Sequence, residues 1–555
     1  MTRNNTQEQQ AVIDSDANLL AVDAFAGTGK TSTLVKYAEA RPSQRILYIA
    51  FNKSVAAEAK ERFPENVDCR TTHSLAYAAV GRKFAEKLGN AQPYMVAQAF
   101  KCNTKRAKLA LEAVSSWLCS IDAEITLDHI NQDEVQDPIE ADALVNLARN
   151  VWERMQDPRS DLKMPHDGYL KLWAMGQPRL RYDIILLDEA QDTNPITLDL
   201  VMSQQGHAKI VLVGDRHQGI YGFRKAMNAM EAVEAQERVA LTQSFRFAQG
   251  IADVATALLQ AFKGEDRCVK GRSDISVKWS IDYRKHYAII GRTNAGLFSA
   301  AANVVMGRRE RRLHFVGGFD SYLFGKVLDA YYLWADERAR IKDATIARFQ
   351  NFHDFKQYGD EAGDAEVKAL VKTVEQYRMD VPVIYNAMRA AETPVQDRAD
   401  ITLTTGHRAK GLEWDQVMVA DDFIELPPGE DDFDEEEVNL LYVGVTRAIE
   451  SILLPGSLRE WLESTGFDFN QQSECEQSET KALPHADVAQ SEELRRLITE
   501  RALLAEAITD AAQMCGLFDS KASVPDFNQL QQLIHELGRE CLRANLMRAE
   551  AQYAG

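Results

Sequence analysis

Short apolar runs, each ending in a polar or glycine-bearing turn, recur along the chain. Stretches with the three- and four-residue spacing of amphipathic helices lie between them. Continuous apolar runs of this length are typical of strands buried on both faces of a parallel sheet. The pattern therefore predicts an α/β fold. The runs lie at residues 19–24, 45–50, 67–70, 184–187, 210–213 and 287–291.

The run at 184–187 ends abruptly in two acids, Asp188 and Glu189. In open α/β sheets, ligands bind outside the carboxyl ends of the strands. Because neighbouring strand residues point to opposite faces, we expect the two carboxylates to take different tasks. One would hold Mg²⁺ and the other would polarise a water molecule. Two acids that merely begin a surface loop are the alternative.

The run at 19–24 leads into the stretch AFAGTGKT at 24–31. This is the phosphate-loop pattern with alanine in place of its first glycine. Gly27 and Gly29 would let backbone N–H groups close on phosphate oxygens, and the following helix adds its positive dipole end. Lys30 would reach the β- and γ-phosphates, and the Thr31 hydroxyl would bind Mg²⁺. Together with the acid pair, the loop predicts nucleotide hydrolysis.

Composition adds few constraints. A length of 555 residues predicts three or four domains. A net charge of −19 argues against nucleic acid, but much of the acid lies in 430–437 and 474–493, so the motifs outweigh it. Seven scattered cysteines without a Cys-x-x-Cys pair suggest reduced thiols and argue against zinc. No bilayer-length apolar run and no signal-peptide pattern is present, so we expect a cytoplasmic or nucleoid-associated protein without membrane contact.

Five further motifs resemble those of superfamily 1 helicases of the UvrD/Rep type. The motif sequences are most similar to the F-box DNA helicase branch, although the motor begins within ten residues of Met1, so we expect no F-box. The motifs are AFNKS at 50–54 with TTHSLAY at 71–77, GDRHQGIYGFR at 214–224, LTQSFR at 241–246, ITLTTGHRAKGLEW at 401–414 and EVNLLYVGVTRA at 437–448.

Several positions depart from the family pattern. Ser244 and Phe245 stand where the family has Asn and Tyr, and Ser32 stands where it often has Arg. Adenine is therefore expected to be held less firmly. Phe223 stands where the family often has Trp, which reduces the area for base stacking.

The resemblance implies two RecA-like P-loop motor domains with helical insertions and a helical C-terminal tail. Helical patterns in the sequence predict helices over 105–118 and 141–155 in the first insertion, over 327–349 and 365–391 in the second, and over 492–509 and 529–551 in the tail. The interval before the motif at 401 is short, so the second insertion is expected to be much reduced. The expected division is a first motor domain at 1–77 and 166–275, its helical insertion at 78–165, a second motor domain at 276–325 and 395–465, its reduced insertion at 326–394, and an acidic linker with helical tail at 466–555.

The resemblance also implies a role for individual residues at an ATP and Mg²⁺ site and along a DNA track. Lys30, Glu189, Gln218, Arg246 and Arg447 are the expected catalytic residues. The nucleotide is expected to contact Gln9, Gly27, Thr28, Gly29, Lys30, Thr31, Phe245 and Glu413, and the metal to contact Thr31 and Asp188. For Gln9, a solvated N-terminal helix is the alternative. The DNA is expected to contact Phe51, Asn52, Thr71, His73, Tyr221, Phe223, Arg224, His407 and Lys410.

The expected function is an ATP-dependent DNA helicase or translocase that moves on single-stranded DNA and at single-strand/duplex junctions, 3′ to 5′ as the family implies. It would couple MgATP hydrolysis to unwinding or to displacement of proteins. Two alternatives stay open: a translocase that strips nucleoprotein complexes with little unwinding, and an ATP-gated module that recruits a protein partner through residues 471–555. The pathway, whether DNA repair, replication or defence, also stays open.

Overall fold

The computed structural model describes residues 4–131, 134–222, 227–307, 309–361, 364–428 and 434–469, in which strands alternate with helices. The strands are β1 (Leu19–Ala24), β2 (Ile46–Ile49), β3 (Val67–Arg70), β4 (Ile184–Leu187), β5 (Lys209–Gly214), β6 (Glu237–Leu241), β7 (Gln243–Ala248), β8 (Lys270–Arg272), β9 (Tyr287–Gly291), β10 (Leu313–Phe315), β11 (Ile401–Thr405), β12 (Trp414–Val419) and β13 (Ala448–Leu453). The helices are α1 (Gln7–Asp14), α2 (Lys30–Glu39), α3 (Lys53–Arg62), α4 (Thr72–Ala79), α5 (Pro93–Phe100), α6 (Thr104–Cys119), α7 (Pro138–Gln156), α8 (His166–Met175), α9 (Pro195–Met202), α10 (Ala229–Ala232), α11 (Gln249–Lys263), α12 (Asn294–Val305), α13 (Phe324–Trp334), α14 (Phe352–Glu361), α15 (Ala365–Tyr377), α16 (Val381–Ala391), α17 (Gly406–Ala409), α18 (Glu435–Val445) and α19 (Gly456–Ser464).

The first sheet has six parallel strands in the order β3-β2-β4-β5-β1-β6. Its central strands are apolar along their whole length because both faces are covered: Leu20 and Val22 pack on one side, and Leu19 and Ala21 on the other. The apolar runs predicted as strands in this half are confirmed. Strands β1, β4 and β5 therefore bring the phosphate loop, the acid pair and the turn after Gly214 to one edge.

The second sheet has five parallel strands in the order β10-β11-β9-β12-β13. Strand β9 matches the run predicted at 287–291. The motif at 401–414 forms β11, α17 and the start of β12, while the motif at 437–448 lies mainly on α18. Two parallel α/β sheets are thus the architecture, and the predicted fold class is confirmed.

Helices α4 to α8 fill the interval between β3 and β4 and have a hydrophobic cluster of their own. Its centre is Trp117 against Trp152, with ring centroids 5.2 Å apart. The two helical runs predicted in this interval are confirmed as α6 and α7. Each has an asparagine or aspartate N-cap, since Asn103 and Asp137 accept backbone N–H bonds there.

The helices after β10 depart from the expectation in two places. The helical run predicted over 327–349 is wrong beyond Trp334, where α13 ends. The buried Asp329 carboxylate accepts the N–H groups of Lys342 and Asp343 and folds the following chain back. The run predicted over 365–391 is two helices, because Arg378 adopts a left-handed φ of 46° and Pro382 follows it.

Helices α12 to α16 share one hydrophobic cluster with the second sheet, and the described residues 326–391 form no lobe with a core of its own. Helix α11, which lies before the expected domain boundary at 275/276, packs against α18, and its Phe262 ring lies 4.9 Å from that of Trp461. The hydrophobic cluster that contains α11 and α18 therefore includes residues from both sides of the expected boundary.

Residues 470–555, which hold nearly all of the expected acidic linker, tail helices and partner-binding segment, lie outside the described residues. Among the residues that are described, none of the helices combines the length and apolar character that a bilayer span requires.

The shared core of α12 to α16 and the second sheet can be tested at Phe315 on β10, which is 1% exposed and contacts the rings of Phe319, Tyr322 and Phe324. We expect Phe315→Ala to cost about 3–5 kcal/mol of stability and to raise hydrogen exchange in α13 and β11 together. The matched control is Val383→Ala on the exposed face of α16, which should change neither. Faster exchange in only one of the two elements would contradict a common core.

Candidate functional site

The phosphate loop connects β1 to α2 and owes its shape to two glycines. Gly27 and Gly29 have left-handed φ values of 74° and 78°, a conformation that favours glycine. Space is also limiting, because a Cβ atom on Gly27 would lie 2.5 Å from Ser244 Oγ. The loop therefore depends on glycine at both positions and ends on the N-terminus of α2.

A cleft of about 570 Å³ opens above this loop and is lined from both sheets. Most of the expected nucleotide and catalytic residues line it. They are Gly27, Thr28, Gly29, Lys30, Thr31, Glu189, Gln218, Phe245, Arg246, Glu413 and Arg447. A larger cavity of about 850 Å³ beside α12 contains none of the expected site residues.

Lys30 lies between the acids of this cleft, with its Nζ 3.5 Å from Glu189 Oε1. Burial tends to lower the pKa of Lys30, but the carboxylates of Glu189 and Asp215 outweigh it and raise the pKa above its ordinary value. Burial also opposes ionisation of Glu189, yet Lys30 and Lys410 outweigh it and lower the pKa of Glu189. Glu189 is therefore held as a carboxylate.

Asp188 has a different environment. Burial and the neighbouring Glu189 charge raise its pKa, while Tyr48 donates its hydroxyl to Oδ2 at 2.5 Å and the Glu189 N–H donates to Oδ1 at 2.9 Å. A buried carboxylate with this unbalanced charge is suited to a divalent cation. Mg²⁺ is typically held by one or two carboxylates together with substrate phosphates, so the chemistry of Asp188 and the Thr31 hydroxyl fits it. Thr31 lines this cleft, whereas Asp188 lines a neighbouring groove of about 270 Å³.

Alternation along a strand does not explain why the Asp188 and Glu189 side chains have different environments, and that prediction was wrong. Strand β4 ends at Leu187, before either acid. Glu189 instead adopts a left-handed φ of 52°, which is uncommon for a residue other than glycine and tends to occur at functional sites. This turn of the backbone brings its carboxylate to Lys30.

Gln9 and Phe245 lie on either side of Gly29. A Cβ atom on Gly29 would lie 3.3 Å from Gln9 Nε2 and 3.6 Å from the Phe245 ring. Gln9 is buried and donates to the carbonyl of Thr28 at 3.4 Å, and Thr6 fixes it in a capping box. The alternative of a solvated N-terminal helix is therefore wrong for the Gln9 side chain.

Two arginines also line the cleft. Arg246 on β7 donates its Nε to Glu413 at 2.6 Å. Arg447, just after α18, is buried and has its Nη2 3.5 Å from Gln218 Oε1. Burial, with the repulsion of Arg246, lowers the pKa of Arg447 to about 9. Together with Lys30, Arg62 and Lys410, the two arginines make five cationic side chains in the lining of the cleft.

Arg62 is a lining residue that sequence reasoning missed. It ends α3, lines the same cleft, and donates its Nη2 to Ser32 Oγ at 2.9 Å. The sequence could have indicated Arg62, because it lies at the end of the helix that follows the AFNKS motif. That helix begins at the same edge of the sheet as the phosphate loop. A guanidinium group therefore stands beside Ser32, where the family often has arginine.

Tyr442 on α18 is a second residue that was missed. Its buried hydroxyl accepts the N–H of Ala26 at 3.2 Å and donates to Asp215 Oδ2 at 3.0 Å. The same Asp215 oxygen accepts Gln218 Nε2 at 2.7 Å. One hydroxyl thus connects α18 to the phosphate loop and to the turn that carries Gln218.

An aromatic stack leads out of the cleft. The ring of Phe51 lies 5.8 Å from that of Tyr221, nearly parallel at 17°, and Tyr221 lies 6.2 Å from His407. Lys410 was expected on this DNA track, but its ammonium pairs with Asp192 and donates to the Gln218 carbonyl at 2.5 Å. Lys410 is therefore turned into the nucleotide cleft, with the Tyr221 ring 5.5 Å away.

A groove of about 270 Å³ continues from this stack and contains Thr71 and His73. His73 Nε2 lies 2.8 Å from Asp167 Oδ1. Thr71 and Asn52 are N-caps, accepting the N–H groups of Ser74 and Val55, so both have structural tasks. The expected DNA contacts Phe223 and Arg224 lie outside the described residues.

Comparison with known proteins gives consistent matches. Residues 4–236 match the model of the UvrD/REP helicase N-terminal domain, and residues 310–454 match that of the UvrD-like helicase C-terminal domain. F-box DNA helicase 1 of Gallus gallus is 34% identical over 511 residues, which cover 84% of this chain and 50% of that protein. F-box DNA helicase protein 1 of Schizosaccharomyces pombe is 30% identical, covering 82% of this chain and 57% of that protein.

A more distant relative is DNA helicase II of Escherichia coli, 24% identical over 295 residues, which cover 47% of this chain and 41% of that protein. The chain thus spans about half the length of the curated relatives that it matches over most of its own length.

The connection made by Tyr442 is directly testable. We expect Tyr442→Phe to lower the free energy of unfolding by about 1–3 kcal/mol, because the Ala26 N–H then stays buried without an acceptor. The matched control is Tyr37→Phe, since the equally buried Tyr37 hydroxyl has no hydrogen-bond partner among the described residues. Chemical denaturation measures both variants. Equal losses would contradict a role for the Tyr442 hydroxyl.

Proposed function

The chain belongs to the UvrD/Rep helicase family, and we propose that it is a motor that couples ATP hydrolysis to movement along single-stranded DNA. The observation that carries the proposal is the composition of the cleft. The phosphate loop and Glu189 come from the first sheet, while Arg447 and Glu413 come from the second. Hydrolysis at such a site depends on how closely the two halves approach, and that dependence can drive movement.

In this proposal the loop N–H groups and Lys30 bind the nucleotide phosphates. The Thr31 hydroxyl and the Asp188 carboxylate would hold Mg²⁺, which neutralises charge on the transferring phosphoryl group when bound. Glu189, kept ionised by Lys30, accepts the proton of the attacking water. Gln9 and Phe245 receive the adenine, and Glu413, which lines the same cleft, contacts the nucleotide.

Arg62 supplies a positive charge that many family members have on an arginine at the position of Ser32. Its guanidinium contacts Ser32 directly and lines the cleft. We therefore assign it to the nucleotide, which reduces the loss of affinity expected from Ser32.

Gln218, Arg246 and Arg447 sense the γ-phosphate. Gln218 and Arg447 approach each other from different sheets at 3.5 Å. Arginines placed this way stabilise the charge of the transition state. Tyr442 connects helix α18, which precedes Arg447, to Asp215 and the turn that carries Gln218. Loss of the γ-phosphate on hydrolysis therefore alters contacts on both the first and the second sheet.

The DNA lies along the groove of Thr71 and His73 and over the rings of Phe51, Tyr221 and His407. Bases of any sequence can stack on such rings. Movement is 3′ to 5′, as the resemblance implies, and single-strand/duplex junctions are the substrate. A second candidate is a translocase that strips bound proteins with little unwinding. It is favoured by the packing of α12 to α16 into the second core, which leaves no separate lobe in the described part of that insertion.

The proposal is tested first at Lys30. We expect Lys30→Ala to reduce DNA-stimulated ATP hydrolysis below about a tenth of the unaltered rate, because a charge-assisted phosphate contact is lost. Lys36→Ala on the same helix, outside the cleft, is the control and should hydrolyse ATP normally. Hydrolysis by Lys30→Ala at the control rate would show that the nucleotide binds elsewhere.

Glu189→Gln tests the base separately from binding. We expect single-turnover hydrolysis to fall by about 10²–10⁴-fold, with binding of a fluorescent ATP analogue retained, since the amide keeps the shape of the side chain. A rate within about threefold of the unaltered protein would mean that another group activates the water.

A further inference from the structure

Lys171 on α8 carries a buried charge that the proposed reaction does not use. Its side chain is fully buried, and its Nζ donates to the carbonyl oxygens of Ser120 at 2.7 Å and Asp122 at 2.8 Å. The ammonium group also lies 4.5 Å from the Trp117 ring centroid. Burial lowers the pKa of Lys171 to about 8. Burying an ammonium group against neutral carbonyls costs free energy. We therefore asked which part of the chain the Lys171 ammonium group holds in place.

The two carbonyls flank a single residue, Ile121. Trp117 Nε1 also donates to the Asp122 carbonyl, at 2.9 Å. From the other side, His129 Nε2 lies 3.1 Å from Asp122 Oδ2 and 3.2 Å from Ser120 Oγ. The turn 120–122 is therefore held from two directions, while the side chain at its apex is 62% exposed.

An exposed isoleucine alone carries no meaning, because single apolar residues are common on surfaces. A lysine near the end of a helix can also cap its last carbonyls, and α6 ends at this turn. Capping, however, requires neither a buried ammonium nor an apolar residue at the apex. The combination of a costly clamp and a stiff, β-branched, exposed side chain indicates that the position of Ile121 is what the clamp preserves.

The turn lies beside the expected DNA track. Cys119, two residues before Ile121, lines the 270 Å³ groove together with Thr71, His73 and Asp167. Asp167 and Lys171 are one turn apart on α8. The clamp and part of the groove wall therefore belong to the same helix, and Ile121 lies two residues along the chain from the groove-lining Cys119.

We propose that the turn 120–122 is a DNA wedge, in which Ile121 packs against nucleobases at the edge of the Thr71–His73 groove and disrupts their stacking. Apolar side chains inserted beside base steps unstack them in other DNA-binding proteins. The inference rests on the proposed function, because it takes this groove as the DNA track. Lys171 is then a positioning residue that acts through Ile121.

The test compares Ile121→Ala with Ile139→Ala, a change at an even more exposed isoleucine of the same helical insertion (79% exposed). Base pairs opened per ATP are measured on a forked duplex at saturating DNA. We expect Ile121→Ala to lower this ratio by about tenfold, the effect of losing roughly two methylene contacts, and Ile139→Ala to leave it unchanged. Equal ratios for both variants would overturn the wedge.

A second measurement reports contact directly. In single-stranded oligonucleotides carrying 2-aminopurine, we expect one position to brighten on binding the unaltered chain and not on binding Ile121→Ala, since a wedged base is unstacked. Equal brightening with both proteins would refute contact by Ile121. Absence of DNA-stimulated ATP hydrolysis in the unaltered chain would instead refute the motor itself, so the two failures are distinguishable.

Lys171→Met tests the clamp. We expect it to lower base pairs opened per ATP by the same factor as Ile121→Ala, and the double variant to lose no more than either alone. A double variant with multiplied losses would show that Lys171 does not act through Ile121. A loss of unwinding and ATP hydrolysis in equal proportion, together with a lower melting temperature, would show that Lys171 serves only the fold.

Discussion

The cleft between the two sheets buries several charged side chains, and each of them depends on its neighbours for its protonation state. Lys30 is kept protonated by the carboxylates around it, and it keeps Glu189 ionised in return. Arg447 also lies near the Glu189 and Asp215 carboxylates, but burial and the repulsion of Arg246 outweigh them and lower its pKa to about 9. A site in this state attracts a polyanion with a divalent cation. In the proposed function, binding of MgATP would balance the charge of the cleft.

Local sequence predicted what local physics determines. Apolar runs fix β1, β4 and β5, and the glycines of the phosphate loop are required by their backbone conformation. Contacts between distant segments were not predictable in this way. Tyr442 meets Ala26 across 416 positions of sequence, and no pattern near either residue encodes that meeting. The orientation of Lys410 toward Asp192 was missed for the same reason.

The helical segments show a similar limit. Periodicity located α6 and α7 well, because each has one apolar face and a capped start. It failed after Trp334, where one buried carboxylate, Asp329, redirects the chain. The turn at 120–122 is also invisible to periodicity, since its clamp comes from Lys171 on another helix. In each case hydrogen bonds from a buried polar side chain outside the local segment shape the backbone.

The proposed motor uses ATP hydrolysis in this cleft to move along single-stranded DNA. Displacement of streptavidin from oligonucleotides biotinylated at either end measures that movement directly. We expect ATP-dependent displacement that is much faster from the 5′ end than from the 3′ end, as a 3′-to-5′ motor requires. Preferential displacement from the 3′ end would contradict the direction. ATP hydrolysis without faster displacement from either end would contradict the motor.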